Sequence, residues 1–145
     1  MSTNRLTAAW WALRVGLGGA AFLAGLDKFF NLLADWPGYL SPIAARLIPV
    51  GPATFMHTIG VVEMVVGLAI VSGITRLGGY VAAAWLVGIA VNLVTTGGYF
   101  DVAVRDVEMA IAAFTLARLT EAGVPVIASE PAAAFRHNSI RPLTV

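Results

Sequence analysis

The sequence predicts an all-α fold: an integral membrane bundle of four transmembrane helices with a short interfacial segment in the first outer loop. Three observations carry that prediction. Hydrophobic residues make up 59% of the 145 residues and charged residues only 12%, whereas a soluble domain has about 45–50% and about 25%. Mean hydropathy is +0.83, an apolar excess that lipid is needed to cover. Four segments also follow one another at the length, about 20 residues, that carries a helix across a ~30 Å hydrocarbon core.

The first segment covers residues 7–30 and is interrupted by Arg14 before Asp27 and Lys28. A secretory signal has a shorter, uncharged apolar run, so this one is read as a retained span. Trp10 and Trp11 at its start suit the headgroup level, as do Trp36 and Tyr39 beyond its end. The link that follows contains Pro37, Pro42, Pro49 and Pro52, which exclude a long helix. Residues 42–48 can form one or two turns on the membrane surface, with Pro42 in the first helical position. The second span covers residues 53–74 and carries His57 and Glu63. A tight turn around Gly73 leads to the third, residues 77–99, which has no charge before Phe100. The fourth, residues 101–120, includes Arg105, Asp106 and Glu108 and crosses lipid only with its charges turned inward or near the interface. Residues 1–122 thus form one transmembrane domain, and residues 123–145 a polar tail.

Composition also excludes whole classes of function. A net charge of +1 offers no electrostatic footprint for nucleic acid. The absence of cysteine excludes intrinsic disulfide exchange, thiolate metal sites and Cys-ligated clusters. Two histidines, His57 and His137, cannot form a bis-histidine haem site within the bilayer when one lies in the tail. His57 lacks a second ligand at Gly60 or Val61 and is read as an interfacial or helix–helix contact, so no metal site is expected. The loop charges divide as Arg5, Arg76, Arg118, Arg136 and Arg141 against Lys28, Arg46 and Arg105. This places both termini in the cytoplasm, with the protein in the cytoplasmic (inner) membrane.

The informative residues are the charges at bilayer depth, because such groups must pair, protonate or face the bundle interior. At 1.5 Å per residue, Arg14 lies ~9 Å below one face and Glu63 ~15 Å below the other, a difference an arginine can span. Arg14 therefore has three uses open to it: snorkelling to the interface, pairing with Glu63, or meeting a ligand. Lys28 reads as an interfacial anchor or a site residue, and Asn92 as a helix bridge. Together Arg14, Lys28, Glu63, Asn92 and Asp106 form a candidate intramembrane polar cluster, structural or quinone- and proton-binding. No catalytic set stands out.

Helical periodicity sharpens this picture. Gly60, Glu63 and Gly67 fall on one stripe, and Arg14, Gly18, Gly25 and Lys28 on another. Glycines flanking a buried charge let a neighbouring helix approach closely. Trp85, Gly88 and Asn92 share a face, as do Asp106, Ala110, Ala113 and Ala117. Glu108 points elsewhere and is expected to pair with Arg105, one turn back.

The motifs R14-V-G-L-G18, G25-L-D-K28 and E63-M-V-V-G67 with T75-R76, followed by Asp106 on an Ala-rich helix, resemble the DoxX family of small membrane proteins over residues 7–120. That resemblance implies a four-helix integral membrane protein associated with respiratory or sulfur redox chemistry. The expected function is a non-catalytic subunit of a larger quinone-linked oxidoreductase complex, with no intrinsic cofactor and with quinone as the candidate ligand. A quinone-reducing or proton-relaying subunit, and a small transporter or assembly factor, are the alternatives. The expected partners are the lipid bilayer, a larger redox complex and a second copy of the chain.

Overall fold

The computed structural model describes residues 3–124. Among them are five α-helices and one 3-10 turn: α1 (Thr3–Asp27), the 3-10 turn (Trp36–Tyr39), α2 (Pro42–Leu47), α3 (Pro52–Ser72), α4 (Thr75–Val94) and α5 (Phe100–Glu121). The fold is all-helical, as expected. Three helices are long and apolar enough to cross a membrane: Arg5–Asp27 within α1, Pro52–Ser72 and Thr75–Val94. α5 is as long, at 22 residues, but it is not among the three because Asp101, Arg105, Asp106 and Glu108 crowd its first half. The tail expected from residue 123 lies, beyond Val124, outside the described residues.

Local chemistry moves two helix ends. The first span was expected to run to residue 30, but α1 stops at Asp27. The Asp27 carboxylate accepts the backbone N–H of Leu32 at 3.1 Å and of Leu33 at 2.9 Å. Asn31 takes the left-handed conformation that turns the chain back. The third span was expected over 77–99, and α4 instead runs from Thr75 to Val94. Thr95 and Thr96 donate their hydroxyls to the carbonyls of Asn92 and Leu93 at 2.7 and 2.6 Å. Gly97 follows with φ +77°, a conformation that suits glycine. α3 ends at Gly73, φ +117°, in the tight turn the sequence indicates. Ser41 caps α2 by accepting the Ala44 N–H at 3.1 Å, and Pro42 opens the helix.

α1 packs along α3 and α4 along α5, and α3–α4 and α1–α5 contacts join the two pairs. Small residues set both close approaches. A Cβ on Gly25 would lie 2.5 Å from the Gly60 carbonyl oxygen, and one on Gly60 would lie 2.5 Å from the Gly25 carbonyl oxygen. Gly18 and Gly67 face each other in the same way, with would-be contacts of 3.0 and 2.6 Å to the opposite carbonyl. α1 and α3 therefore run antiparallel with their backbones touching. Across α4 and α5, Gly79 meets Ala113 and Ala117, and Ala110, Ala113 and Ala117 are all buried on the face predicted for them.

One core cluster gathers Trp10, Ile70, Ala82, Ala113, Leu116 and Val124, and a second gathers Ala90, Leu93 and Ala103. Trp10 corrects an expectation. It lies in the core at 3% exposure, donating its indole N–H to Thr120 Oγ1 at 2.8 Å, while its neighbour Trp11 is 50% exposed. A buried indole needs an acceptor, and the end of α5 supplies one. The outward faces carry Val15, Leu23, Val65, Leu68, Leu77, Val91 and Ile111, all exposed, a surface suited to hydrocarbon.

Candidate functional site

The Gly25–Gly60 contact brings the end of α1 against the middle of α3. Lys28, just past that end, is buried at 5% exposure, and Glu63 is buried at 8%. The Lys28 ammonium donates to Glu63 Oε2 at 2.5 Å. Trp36 covers the pair, its ring 3.8 Å from Lys28 Nζ. The Trp36 indole is itself held by Asp27 Oδ2 at 2.8 Å. Asp27 therefore ends the helix and, through Trp36, seals the ion pair. Next to it, Phe29 in the turn after α1 stacks on His57 of α3 at 4.8 Å and 8° between planes. No group of three metal-capable side chains occurs among the described residues.

Glu63, one of the partners open to Arg14, thus meets Lys28, which is buried and not free to reach an interface. Arg14 binds the end of α3 instead. Its Nε donates to the Ile70 carbonyl at 3.0 Å and its Nη2 to the Val71 carbonyl at 2.5 Å, and its guanidinium lies 4.9 Å from the ring centres of both Trp10 and Trp11. The last carbonyls of a helix have no partner within it and carry partial negative charge, and Arg14 answers both needs. The glycine pairs hold the signal that separates these partners. Their shared register sets Arg14 beside Val71 and Glu63 nearer to Lys28 along the axis, whereas depth counted from each membrane face overlooked Lys28 as a partner.

Asp106 enters from α5, buried at 6% exposure. Its nearest counter-charge is Arg105 Nη2, 3.8 Å from Oδ1. Arg105 thus turns towards Asp106, not towards Glu108 as the helical spacing suggested. Among the described residues Glu108 has no ion pair. Asn92 stands apart from the charges: it donates Nδ2–H to the Tyr39 carbonyl at 2.7 Å and accepts the Ser41 N–H at 3.1 Å. It pins the loop to α4. Trp85, placed by the helical period on the same face as Asn92, has a buried indole N–H without an acceptor among the described residues.

Of the five predicted residues, the fold therefore brings Lys28 and Glu63 into direct contact and buries Asp106 on α5 with Arg105 as its counter-charge. It assigns Arg14 to a helix end and Asn92 to a loop.

The DoxX family profile matches residues 9–96. The chain belongs to the DoxX family. No curated protein and no solved structure matches it significantly. The matched segment holds Arg14, Lys28, Glu63 and Asn92, while α5 with Asp106 lies beyond it. Family membership and three membrane-length helices make this a multi-pass membrane protein.

The motif residues of this DoxX chain act largely as joints. Thr75 Oγ1 donates to the Ile70 carbonyl at 2.9 Å, the same oxygen that Arg14 Nε reaches. Arg76 Nε pairs with Glu121 Oε1 at 2.9 Å, tying the α3–α4 turn to the end of α5. Chemically, the Lys28–Glu63 pair is self-neutralising. Asp106 is the acid left over, with a loosely held arginine as its counter-charge. Arg14→Met is expected to keep the fold but lose roughly 1–2 kcal/mol, because the Val71 carbonyl loses its side-chain donor and the Ile70 carbonyl keeps only Thr75. The midpoint of unfolding in mixed detergent–SDS micelles measures that loss.

Proposed function

We propose that this DoxX protein is a non-catalytic, four-span subunit of the cytoplasmic membrane that docks onto a larger respiratory or sulfur-oxidising, quinone-linked oxidoreductase. In this reading α5 is the fourth span, its Asp106 turned inward, and both termini are cytoplasmic. The observation that supports it most is the internal use of the membrane-depth charges. Lys28 is consumed by Glu63 and Trp36, and Arg14 by the end of α3. A chain that spends its charges on its own helix contacts has the chemistry of a scaffold. Redox chemistry then belongs to the partner, since the chain has no thiol of its own.

Purifying a tagged copy from its own membranes in a mild detergent tests the proposal. Subunits of a quinone-linked oxidoreductase are expected to co-purify in stoichiometric amount. A protein that runs alone, with no oxidoreductase in the eluate, sinks the subunit reading.

One observation favours a second reading. Asp106 is buried without a hydrogen bond among the described residues, so it is the group best placed to take up a proton or meet a quinone oxygen. On that reading Asp106→Asn abolishes quinone-linked turnover of the assembled complex while leaving its assembly intact. Full turnover in that variant leaves the scaffold reading alone.

A further inference from the structure

α5 has two unlike faces. Ala103, Asp106, Ala110, Ala113 and Ala117 are buried. Opposite them Val104, Glu108 and Ile111 are exposed, within about 60° of one another at 100° per residue. Glu108 is at the middle of that outward face, ~12 Å along the axis from the start of the helix. With α5 read as the fourth span, a carboxylate there points out of the protein at bilayer depth. Such a charge is retained only with a partner, yet among the described residues Glu108 has neither an ion pair nor a hydrogen bond.

The same surface carries the complementary charge. Arg105 is three residues away, its side chain 61% exposed and 3.8 Å from Asp106. Beside Glu108 runs an apolar groove of about 470 Å³ between α4 and α5, lined by Val87, Val91, Val94, Val104 and Val107, with Glu108 at its edge. Two copies in one membrane with the same orientation are related by a two-fold axis along the membrane normal. That axis runs their α5 helices parallel and sets Arg105 of each against Glu108 of the other, the reciprocal pattern of an isologous interface.

We propose that the outward face of α5 docks against α5 of a second copy, with two reciprocal Arg105–Glu108 pairs across the interface and the α4–α5 groove receiving the partner copy's apolar row. The proposal rests on reading α5 as a span. Within one chain Arg105 turns towards Asp106 and leaves Glu108 unpaired, and the partner copy's Arg105 supplies the missing counter-charge.

The chain has no cysteine, so single cysteines can report on this face in native membranes. Under mild oxidation Ile111→Cys is expected to form a disulfide-linked dimer, and Val65→Cys, on the exposed face of α3, is not. In the Ile111→Cys background, Arg105→Glu sets acid against acid and is expected to cut cross-linking about tenfold. Adding Glu108→Arg restores it, which rescue of mere misfolding would not do. If the charge variants fail to fold, Ile111→Cys alone decides. A water-soluble maleimide that labels Ile111→Cys in intact membranes shows that α5 does not span, and overturns both readings. A protected cysteine that fails to cross-link overturns the dimer alone. So does a double reversal that folds without rescue, and it points to lipid or a different protein on this face.

Discussion

Glu63→Ala is expected to lower stability by about 3–5 kcal/mol, the cost of leaving one member of a buried ion pair without its partner. The orphan is Lys28, 5% exposed. With Glu63 gone, the contact left to its ammonium is the Trp36 ring at 3.8 Å. A ring face offsets roughly 2 kcal/mol of a desolvated cation's cost, less than the loss of the carboxylate. Lys28→Met strands Glu63 in the same way and is expected to fall in the same range. The double variant Lys28→Met/Glu63→Leu is expected to recover most of the loss, because apolar residues of similar volume replace a buried pair at little or no cost. Unfolding in mixed detergent–SDS micelles, followed by tryptophan fluorescence, gives all three values and the coupling energy. Single variants as stable as the parent would show that the pair does not hold α1 to α3. A stable double variant that no longer supports oxidoreductase assembly or turnover would move the pair from structure to function.

The same pair shows where sequence reasoning succeeds and where it stops. The stripes Gly60–Glu63–Gly67 and Asp106–Ala110–Ala113–Ala117 follow from the 3.6-residue period, and the fold buries each of them. The turn at Gly73 and the short helix from Pro42 are written in residues with restricted backbones, and both occur where expected. What periodicity does not supply is the offset between two helices. Depth counted from each membrane face allowed Arg14 to reach Glu63, and it left Lys28 to the interface. The actual offset is set by two reciprocal glycine contacts, Gly18 with Gly67 and Gly25 with Gly60, and that register favours the lysine.

Side chains acting across a turn were equally hidden. Asp27 reads as a charge near the end of a span, yet it stops α1, caps the following loop and holds Trp36 over Lys28. Trp10 and Trp11 are adjacent in sequence and look alike as interface aromatics. One is core and the other surface, because only Trp10 faces Thr120.

The glycine contacts lead to the second large effect. Gly25→Val is expected to destabilise the protein by about 3 kcal/mol, the upper end for overpacking a tight contact. The neighbours a side chain would meet are backbone atoms: the Gly60 carbonyl oxygen at 2.5 Å and the Met64 nitrogen at 2.9 Å from a Cβ. Backbone in the middle of a helix cannot swing aside as a side-chain tip can, so α1 and α3 must separate. Gly16 supplies the control on the same helix, since a Cβ there has no atom within 4 Å. Gly16→Ala is expected to be neutral or to gain up to about 1 kcal/mol from helix propensity. Separating α1 from α3 also pulls Lys28 away from Glu63, so part of the ion-pair contribution is already lost in Gly25→Val. Combined with Glu63→Ala it should therefore cost less than the two single losses added together, by more than the ~0.5 kcal/mol scatter seen for independent sites. Strict additivity in that cycle would mean that the glycine contact and the ion pair act separately, and that helix approach is not what brings the two charges within reach.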